Sequence, residues 1–277
     1  MKKRASLYSK ISSAPYIVWM LIFIFAPLLM VLYYSFTDAN GNFTFQNIIA
    51  LDDYAGIFVR SILYGVVTTI ISLIIAFPFA YAISQKSTKY QSTIIILLMV
   101  PMWMNFLIRT YSWMNILSDN GIINTVIQWL GFEPISMINT SGAVILGMVY
   151  NFMPYMVLPI YTVISKMDKS VIEAAQDLGC NKFKVITKVI FPLSVPGIAS
   201  GITMVFVPSV STFYISQKLG GGKYDMIGDT IERQFQTSYN YHLGASISLI
   251  LMVLLLVCMA FMNTFTTDEE SEGGMIV

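Results

Sequence analysis

The chain has 277 residues, enough for one or two soluble domains, but 56% of them are hydrophobic and only 11% are charged. This composition excludes an ordinary soluble protein and is typical of a membrane protein. The formal net charge of +1 says little, because in a membrane protein the distribution of charge between the two sides carries the information. No CxxC, HExxH or GxxxxGK[ST] pattern occurs, so the sequence shows no catalytic metal or nucleotide site of these kinds.

Six stretches are apolar enough to cross a membrane as helices, because about 20 such residues span about 30 Å of hydrocarbon. They lie near residues 14–36, 61–84, 92–112, 142–164, 195–215 and 244–265. We therefore predict an all-α membrane protein with six transmembrane helices and one domain over residues 1–277.

The orientation follows from the lysines and arginines, since short loops rich in these residues stay in the cytoplasm. With the N-terminus inside, eleven of the sixteen lie on the cytoplasmic side: Lys2, Lys3, Arg4, Lys10, Lys86, Lys89, Lys166, Lys169, Lys182, Lys184 and Lys188. An even number of spans then places both termini in the cytoplasm. The two cysteines, Cys180 and Cys258, fall in a cytoplasmic loop and inside a span, so we expect no disulfide.

Prolines and polar residues interrupt the third, fourth and fifth stretches. Such interruptions are tolerated where helices line a cavity, and they point to a transport pathway. The candidate residues are Trp103 and Asn105 beside Pro101, Tyr150 and Asn151 with Pro154 and Pro159 below them, and Ser209, Phe213 and Tyr214 after Pro208. Ordinary helix packing is the alternative for each of them, and the sequence leaves both readings open.

Two loops on the outer side contain short predicted helices. Residues 122–130 form an amphipathic pattern that ends at Gly131. After the flexible joint at residues 220–222, residues 224–235 predict a second helix with Asp225, Asp229 and Glu232 spaced for one face.

The cytoplasmic loop, residues 165–196, is the most informative stretch. Ser170 and Glu173 have the spacing of a capping box, in which Ser170 starts a helix. Gly179 supplies the left-handed residue that ends it. The small side chains of Ala174 and Ala175 allow another protein surface to approach, so this is a docking helix or a helix that lies on its own membrane domain.

The same loop resembles the EAA loop of bacterial ABC-importer permeases, which runs E-A-A, three residues, G, nine residues, then I-x-L-P. Here Glu173-Ala174-Ala175, Gly179 and Val189-Ile190-Phe191-Pro192 keep that spacing, with Val189 for isoleucine and Phe191 for leucine. Further runs resemble the polyamine branch of the family: Leu107 to Trp113, Ile116 to Gly121, Val207 to Ser209, Phe213-Tyr214, Leu219 to Gly222 and Ile227-Gly228.

The resemblance implies a type I importer permease fold of the MetI-like kind, with a cytoplasmic coupling helix that docks on a separate ATPase. The residues implied in this coupling are Ser170, Glu173, Ala174, Ala175, Leu178 and Gly179. The implied partners are a second permease (PotC-like), two copies of the ATPase (PotA-like), which carries ATP and Mg, and an extracytoplasmic polyamine-binding protein (PotD-like). This chain then binds no cofactor, is not an enzyme by itself, and forms half of a pore in the bacterial cytoplasmic membrane.

Polyamines are flexible cations with apolar stems, so their pathway should combine aromatic walls with a few carboxylates. Asp225, Asp229 and Glu232 are candidates to attract such a cation at the outer mouth, and solvated surface pairing is the alternative. Related permeases for thiamine or ferric ion remain rivals, as do a membrane-embedded enzyme and a channel. Neither paired catalytic groups nor rings of charge are visible to support the last two.

Overall fold

The computed structural model describes residues 7–273, and within that range the chain is helical. Its α-helices span Leu7–Met20, Ala26–Ser35, Gln46–Ile49, Ala55–Ser84, Thr88–Trp103, Phe106–Leu117, Ile122–Trp129, Ser141–Ser165, Lys169–Asp177, Lys182–Val185, Phe191–Leu193, Val195–Ser211, Tyr214–Gly220, Ile227–Gln236 and Tyr241–Gly273. π-Helical segments at Leu21–Phe25 and Ile186–Ile190 and a 3-10 segment at Ala50–Tyr54 join some of them. Residues 7–273 contain no β-strand, and the prediction of an all-α protein is confirmed.

Four helices are long and apolar enough to cross a membrane: Ala14–Ser35, Gln46–Ser84, Ser141–Ser165 and Tyr241–Met262. Two more spans result if each of two bent helix pairs counts as one. These pairs are Thr88–Trp103 with Phe106–Trp129, bent by 91°, and Lys182–Leu193 with Val195–Ser211, bent by 68°. The described chain thus has four to six candidate spans, and each predicted stretch overlaps one of them. The single domain and the cytoplasmic side of residues 165–196 stay predictions.

By its contacts the chain divides into two compact units. The smaller one comprises described residues up to Ala55 together with Thr230–Val253, and the larger one comprises Gly56–Asp229 together with the residues from Leu254 onward. In the smaller unit, the Ser246 hydroxyl donates a hydrogen bond of 3.2 Å to the carbonyl oxygen of Ser35, which ties its two segments together. All the candidate site residues except Glu232 belong to the larger unit.

The core of the larger unit is the packing of helix Ser141–Ser165 against helix Val195–Ser211. A β-carbon at Gly197 would lie 2.8 Å from the Pro159 carbonyl oxygen, and one at Gly201 would lie 2.7 Å from the Met156 sulfur. The two helices therefore approach as closely as they do because both positions lack a side chain, which is a common feature of packed membrane helices.

We expect Gly197→Ala to destabilise this helix pair by about 1–3 kcal/mol, the usual cost of overpacking a core. The new methyl group would meet the backbone of Pro159 and Ile160, which cannot rotate away. Gly56→Ala is the matched control, because nothing lies within 4 Å of a β-carbon at Gly56 in helix Ala55–Ser84. Thermal unfolding of the purified protein in detergent measures the difference; equal midpoints for the two variants would contradict the close approach.

A buried asparagine holds the loop that follows the third predicted span. The loop contains the helix Ile122–Trp129, and Gly131 is left-handed with φ of 85°, in agreement with the predicted helix end. Asn124 is fully buried, and its amide nitrogen donates to the carbonyl oxygens of Ser118 and Ile135 at 3.3 and 2.9 Å. Its amide oxygen accepts from the backbone nitrogen of Ile135 at 2.8 Å. These bonds use both ends of the side chain to close the loop.

Candidate functional site

The helix Lys169–Asp177, called the loop helix below, begins two residues earlier than the capping-box pattern predicts. Its N-cap is Asp168, whose carboxylate accepts a hydrogen bond of 2.9 Å from the backbone nitrogen of Ser170. The prediction that Ser170 is the N-cap is therefore wrong. A carboxylate interacts with the positive end of the helix dipole more strongly than a hydroxyl does. The same hydrogen bond from Ser170 holds the pKa of Asp168 below its ordinary value, so this cap stays ionised at neutral pH.

The C-terminal end of the loop helix agrees with the prediction. Gly179 is left-handed, with φ of 82°. Its backbone nitrogen donates to the carbonyl oxygen of Gln176 at 2.9 Å, and the nitrogen of Cys180 donates to Ala175 at 3.1 Å. This pair of bonds is a Schellman motif, which stops the helix and satisfies its last carbonyl groups.

The loop helix has one face on its own membrane domain and one face open. Ile172 and Ala175 pack against the hydrophobic core of the larger unit. Glu173, Ala174 and Leu178 are exposed, and Leu178 has 87% of its surface uncovered. The two alanines thus point to different sides, and the open face combines a carboxylate, a small residue and a large apolar residue.

A cleft of about 250 Å³ lies beside the loop helix. It is lined by Ser84, Gln85, Ile164, Ser165, Met167, Ile172, Glu173 and Gln176, so it brings the loop helix together with the ends of helices Ala55–Ser84 and Ser141–Ser165. A displacement of the loop helix would therefore act directly on the ends of two candidate spans.

Gln91 fastens these same ends to a third candidate span. Its amide nitrogen donates to the carbonyl oxygens of Ser84 and Lys86, at 3.0 and 2.8 Å. Its amide oxygen accepts from the hydroxyl of Tyr161 at 2.8 Å. Beyond the loop helix, the ring of Phe191 packs edge-on against Phe77 at 5.3 Å, which adds a further contact between the EAA-like stretch and helix Ala55–Ser84.

The third predicted span is broken at the position that the sequence indicates. Helix Thr88–Trp103 ends, and Asn105 begins a new helix by accepting a hydrogen bond of 2.8 Å from the backbone nitrogen of Leu107. Asn105 is thus an N-cap in this conformation. Trp103 is 75% exposed.

The fifth predicted span is also broken, but after Ser209. Helix Val195–Ser211 continues through Pro208, and a new helix, Tyr214–Gly220, follows Thr212 and Phe213. Ser209 is buried, and its hydroxyl donates back to the carbonyl oxygen of Val205 at 2.6 Å. Of the three residues proposed from this stretch, Phe213 and Tyr214 lie at the break, whereas Ser209 lies inside the packed helix.

The interruption predicted in the fourth span is absent from the structure. Helix Ser141–Ser165 is continuous through Pro154 and Pro159. Neighbouring helices and side chains commonly re-satisfy the groups that proline frees within membranes, which is why such prolines are tolerated. Tyr150 is partly exposed and packs edge-on against Trp113 at 5.2 Å. Asn151 is only 3% exposed, its amide nitrogen donates to the Gly147 carbonyl oxygen at 2.8 Å, and its amide oxygen has no partner among the described residues.

The three acidic residues proposed at the outer mouth do not share one helical face. The helix begins at Ile227, so Asp225 precedes it. Asp229 is only 2% exposed, and its carboxylate accepts a hydrogen bond of 2.6 Å from the backbone nitrogen of Met226. The prediction that Asp229 lies at the surface is wrong, because its carboxylate satisfies a backbone group at the helix start. Glu232 lies half-buried in the same helix.

Sequence reasoning missed two residues that organise these regions. Gln91 was missed because the contact that joins it to another span, with Tyr161, is 70 residues away in the sequence. Lys218 is half-buried, and its ammonium nitrogen lies 5.6 Å from the ring centres of both Tyr111 and Tyr214. Its position four residues after Tyr214 was a usable signal, since such residues face each other on a helix.

Comparison with known sequences gives matches along nearly the whole chain. Residues 3–267 match the family described as "Binding-protein-dependent transport system inner membrane component". The spermidine/putrescine transport system permease protein PotB of Haemophilus influenzae is 36% identical over 265 residues, covering 92% of this chain and 93% of the relative. PotB of Escherichia coli is 34% identical over 247 residues, covering 86% and 90%. The inner membrane ABC transporter permease protein YdcU of Escherichia coli is 29% identical and covers 89% and 86%.

Comparison with solved structures identifies the same fold. A chain of a bacterial ABC transporter for import of the acidic polysaccharide alginate matches with a TM-score of 0.76 at 20% identity, covering 95% of both chains. A chain of the MetNI methionine ABC transporter matches with a TM-score of 0.51 at 15% identity, covering 78% of this chain and 97% of that one. The predicted importer-permease fold is therefore confirmed.

Proposed function

The chain belongs to the family of binding-protein-dependent transport system inner membrane components, and from this premise we propose that it is one of two permease subunits of an ATP-driven polyamine importer. The family resemblance inferred from the EAA pattern is thereby confirmed. The substrate class rests on one observation, which is the 36% and 34% identity to two PotB proteins over most of each chain. Spermidine and putrescine are the substrates that the names of those relatives give.

The loop helix is the part that couples this chain to a separate ATPase. Its open face carries Glu173, Ala174 and Leu178, which are exposed in the described structure. An exposed helix face of this kind can dock into a groove of a partner protein. Asp168 caps its N-terminal end and Gly179 ends it at the other side. The loop helix can therefore transmit a displacement as a rigid body. ATP and Mg bind to the ATPase, and this chain carries out no chemical step itself.

The remaining subunits complete the pore and supply the substrate. A second, PotC-like permease forms the other half, two PotA-like ATPase subunits dock on the cytoplasmic side, and a PotD-like binding protein delivers the polyamine to the outer face. Both termini and the loop helix are cytoplasmic, because eleven of the sixteen Lys and Arg residues fall on that side in this orientation.

The pathway through this half of the pore runs past the two broken spans. Trp103, Asn105, Phe213 and Tyr214 flank the breaks, and half-helices with such breaks form substrate sites in other membrane transporters. Their aromatic rings suit a cation with an apolar stem, because a ring face attracts an ammonium group while the rest of the ring contacts methylene groups.

Uptake of labelled spermidine tests the proposal directly. Membrane vesicles that contain this chain with its partner subunits and ATP should accumulate spermidine, and excess putrescine should reduce the signal whereas excess thiamine or ferric ion should not. Vesicles with the Glu173→Lys/Ala174→Asp variant serve as the uncoupled control. Accumulation of labelled thiamine or iron in place of spermidine would assign the chain to another importer of the same family.

A further inference from the structure

The two helices that follow the breaks in the third and fifth spans pack together, and each contributes one tyrosine to their contact. Tyr111 belongs to helix Phe106–Leu117, and Tyr214 is the first residue of helix Tyr214–Gly220. Their ring centres are 6.1 Å apart and their planes are nearly perpendicular, at 82°. Phe106 lies 6.2 Å from Tyr214 and extends the aromatic surface on one side.

The ammonium group of Lys218 lies over both of these rings. Its nitrogen lies 5.6 Å from the centre of each ring, within the distance at which a cation interacts favourably with an aromatic face. Lys218 reaches this position because it follows Tyr214 by one helical turn. The rings form a position for one ammonium group, and in this conformation the chain fills that position with its own.

The lysine side chain closely resembles the proposed substrate. A primary ammonium at the end of four methylene groups is also the aminobutyl arm of putrescine and spermidine. A position that holds Lys218 between two rings therefore has the right charge, size and apolar contacts for the end of a polyamine. Tyr111 is 42% exposed, so its ring can be reached from outside the packed helices.

We propose that Tyr111 and Tyr214 form a binding position for one primary ammonium group of the transported cation, and that Lys218 is a tethered competitor for it. This inference rests on the proposed polyamine transport. An incoming polyamine takes the place of the Lys218 ammonium, which leaves the rings when the substrate arrives and returns when the substrate has passed. Lys218 thereby weakens substrate binding and keeps the position occupied between cycles.

If Lys218 competes with the substrate, removing its charge should strengthen substrate binding. In vesicles that contain the complete complex, Lys218→Gln should lower the KM for labelled spermidine by about 2- to 30-fold, the range that one cation–π interaction corresponds to. Lys218→Arg keeps the charge and should stay near the wild-type KM. Lys223→Gln removes the same charge from an exposed position five residues on, and it should change the KM much less.

Variants that lack the Tyr214 ring separate competition for this position from general electrostatic repulsion between Lys218 and the substrate. In Tyr214→Leu the ring is gone, so the KM should rise, and adding Lys218→Gln to this variant should no longer lower it. Tyr214→Phe keeps the ring and reports whether the chain still folds and transports. An equal decrease in KM from Lys218→Gln with and without the Tyr214 ring, or an equal decrease from Lys223→Gln, would overturn the proposal.

The wild-type complex distinguishes failure of this inference from failure of the proposed function. If wild-type vesicles accumulate spermidine and Lys218→Gln leaves the KM unchanged, only the tethered-competitor inference is overturned. If wild-type vesicles accumulate no polyamine, the proposed function is overturned before any variant is compared.

Discussion

The double variant Glu173→Lys/Ala174→Asp is expected to abolish ATP-driven uptake while the permease itself still folds. Both positions are exposed on the loop helix, so neither change disturbs the core of this chain. Docking would bury the new aspartate and lysine without suitable partners, and an unpaired buried charge costs about 3–5 kcal/mol. Association with the ATPase should therefore weaken by about 100-fold or more. Copurification of the ATPase and substrate-stimulated ATP hydrolysis measure the loss.

A charge reversal at a different exposed glutamate provides the control for this prediction. Glu133 lies in the loop after helix Ile122–Trp129 and is also exposed. Glu133→Lys changes the net charge of the chain as much as Glu173→Lys does, but it should leave the ATPase bound and its hydrolysis coupled. Normal assembly and normal coupled hydrolysis in the loop-helix double variant would remove the coupling role.

The candidate spans could be predicted from the sequence because membrane insertion imposes a length and a composition that are visible without tertiary contacts. The predicted stretch 142–164 differs by one residue at each end from helix Ser141–Ser165.

The start of the loop helix was predicted wrongly, because two local signals competed there. Asp168 and Ser170 are both good N-cap residues, and the capping-box spacing to Glu173 favoured the wrong one.

Backbone breaks could be predicted only in part, because proline has different effects in different surroundings. Helix Ser141–Ser165 passes through two prolines without interruption, and helix Val195–Ser211 passes through Pro208. The break in the third span depends on Asn105, whose side chain starts a new helix. A capping residue near a proline is therefore a better indication of a broken span than a proline alone.

Side-chain partners that are distant in sequence could not be predicted at all. Tyr111 and Tyr214 come from different spans, and only the fold shows that their rings meet around Lys218. Pairing of this kind depends on helix packing, which periodicity in one helix does not specify.

Asn151→Leu is expected to stabilise the permease and to reduce its transport activity. The amide oxygen of Asn151 is buried and accepts no hydrogen bond from the described residues, an arrangement that costs about 1–3 kcal/mol. Leucine has nearly the same shape without polar atoms, so it should recover that energy. An uncompensated polar group inside a membrane span is kept where function needs it. We infer that Asn151 gains its partner when the helices rearrange during transport.

The matched control is Asn124→Leu, the same substitution at a buried asparagine whose hydrogen bonds are all made within the loop. Asn124 bonds Ser118 and Ile135, so leucine would leave their backbone groups unsatisfied. This variant should be less stable by about 1–3 kcal/mol or more. Thermal unfolding in detergent and spermidine uptake in vesicles together decide the case. If Asn151→Leu were destabilising like Asn124→Leu, or if it left uptake unchanged, Asn151 would be a packing residue and not a part of the transport cycle.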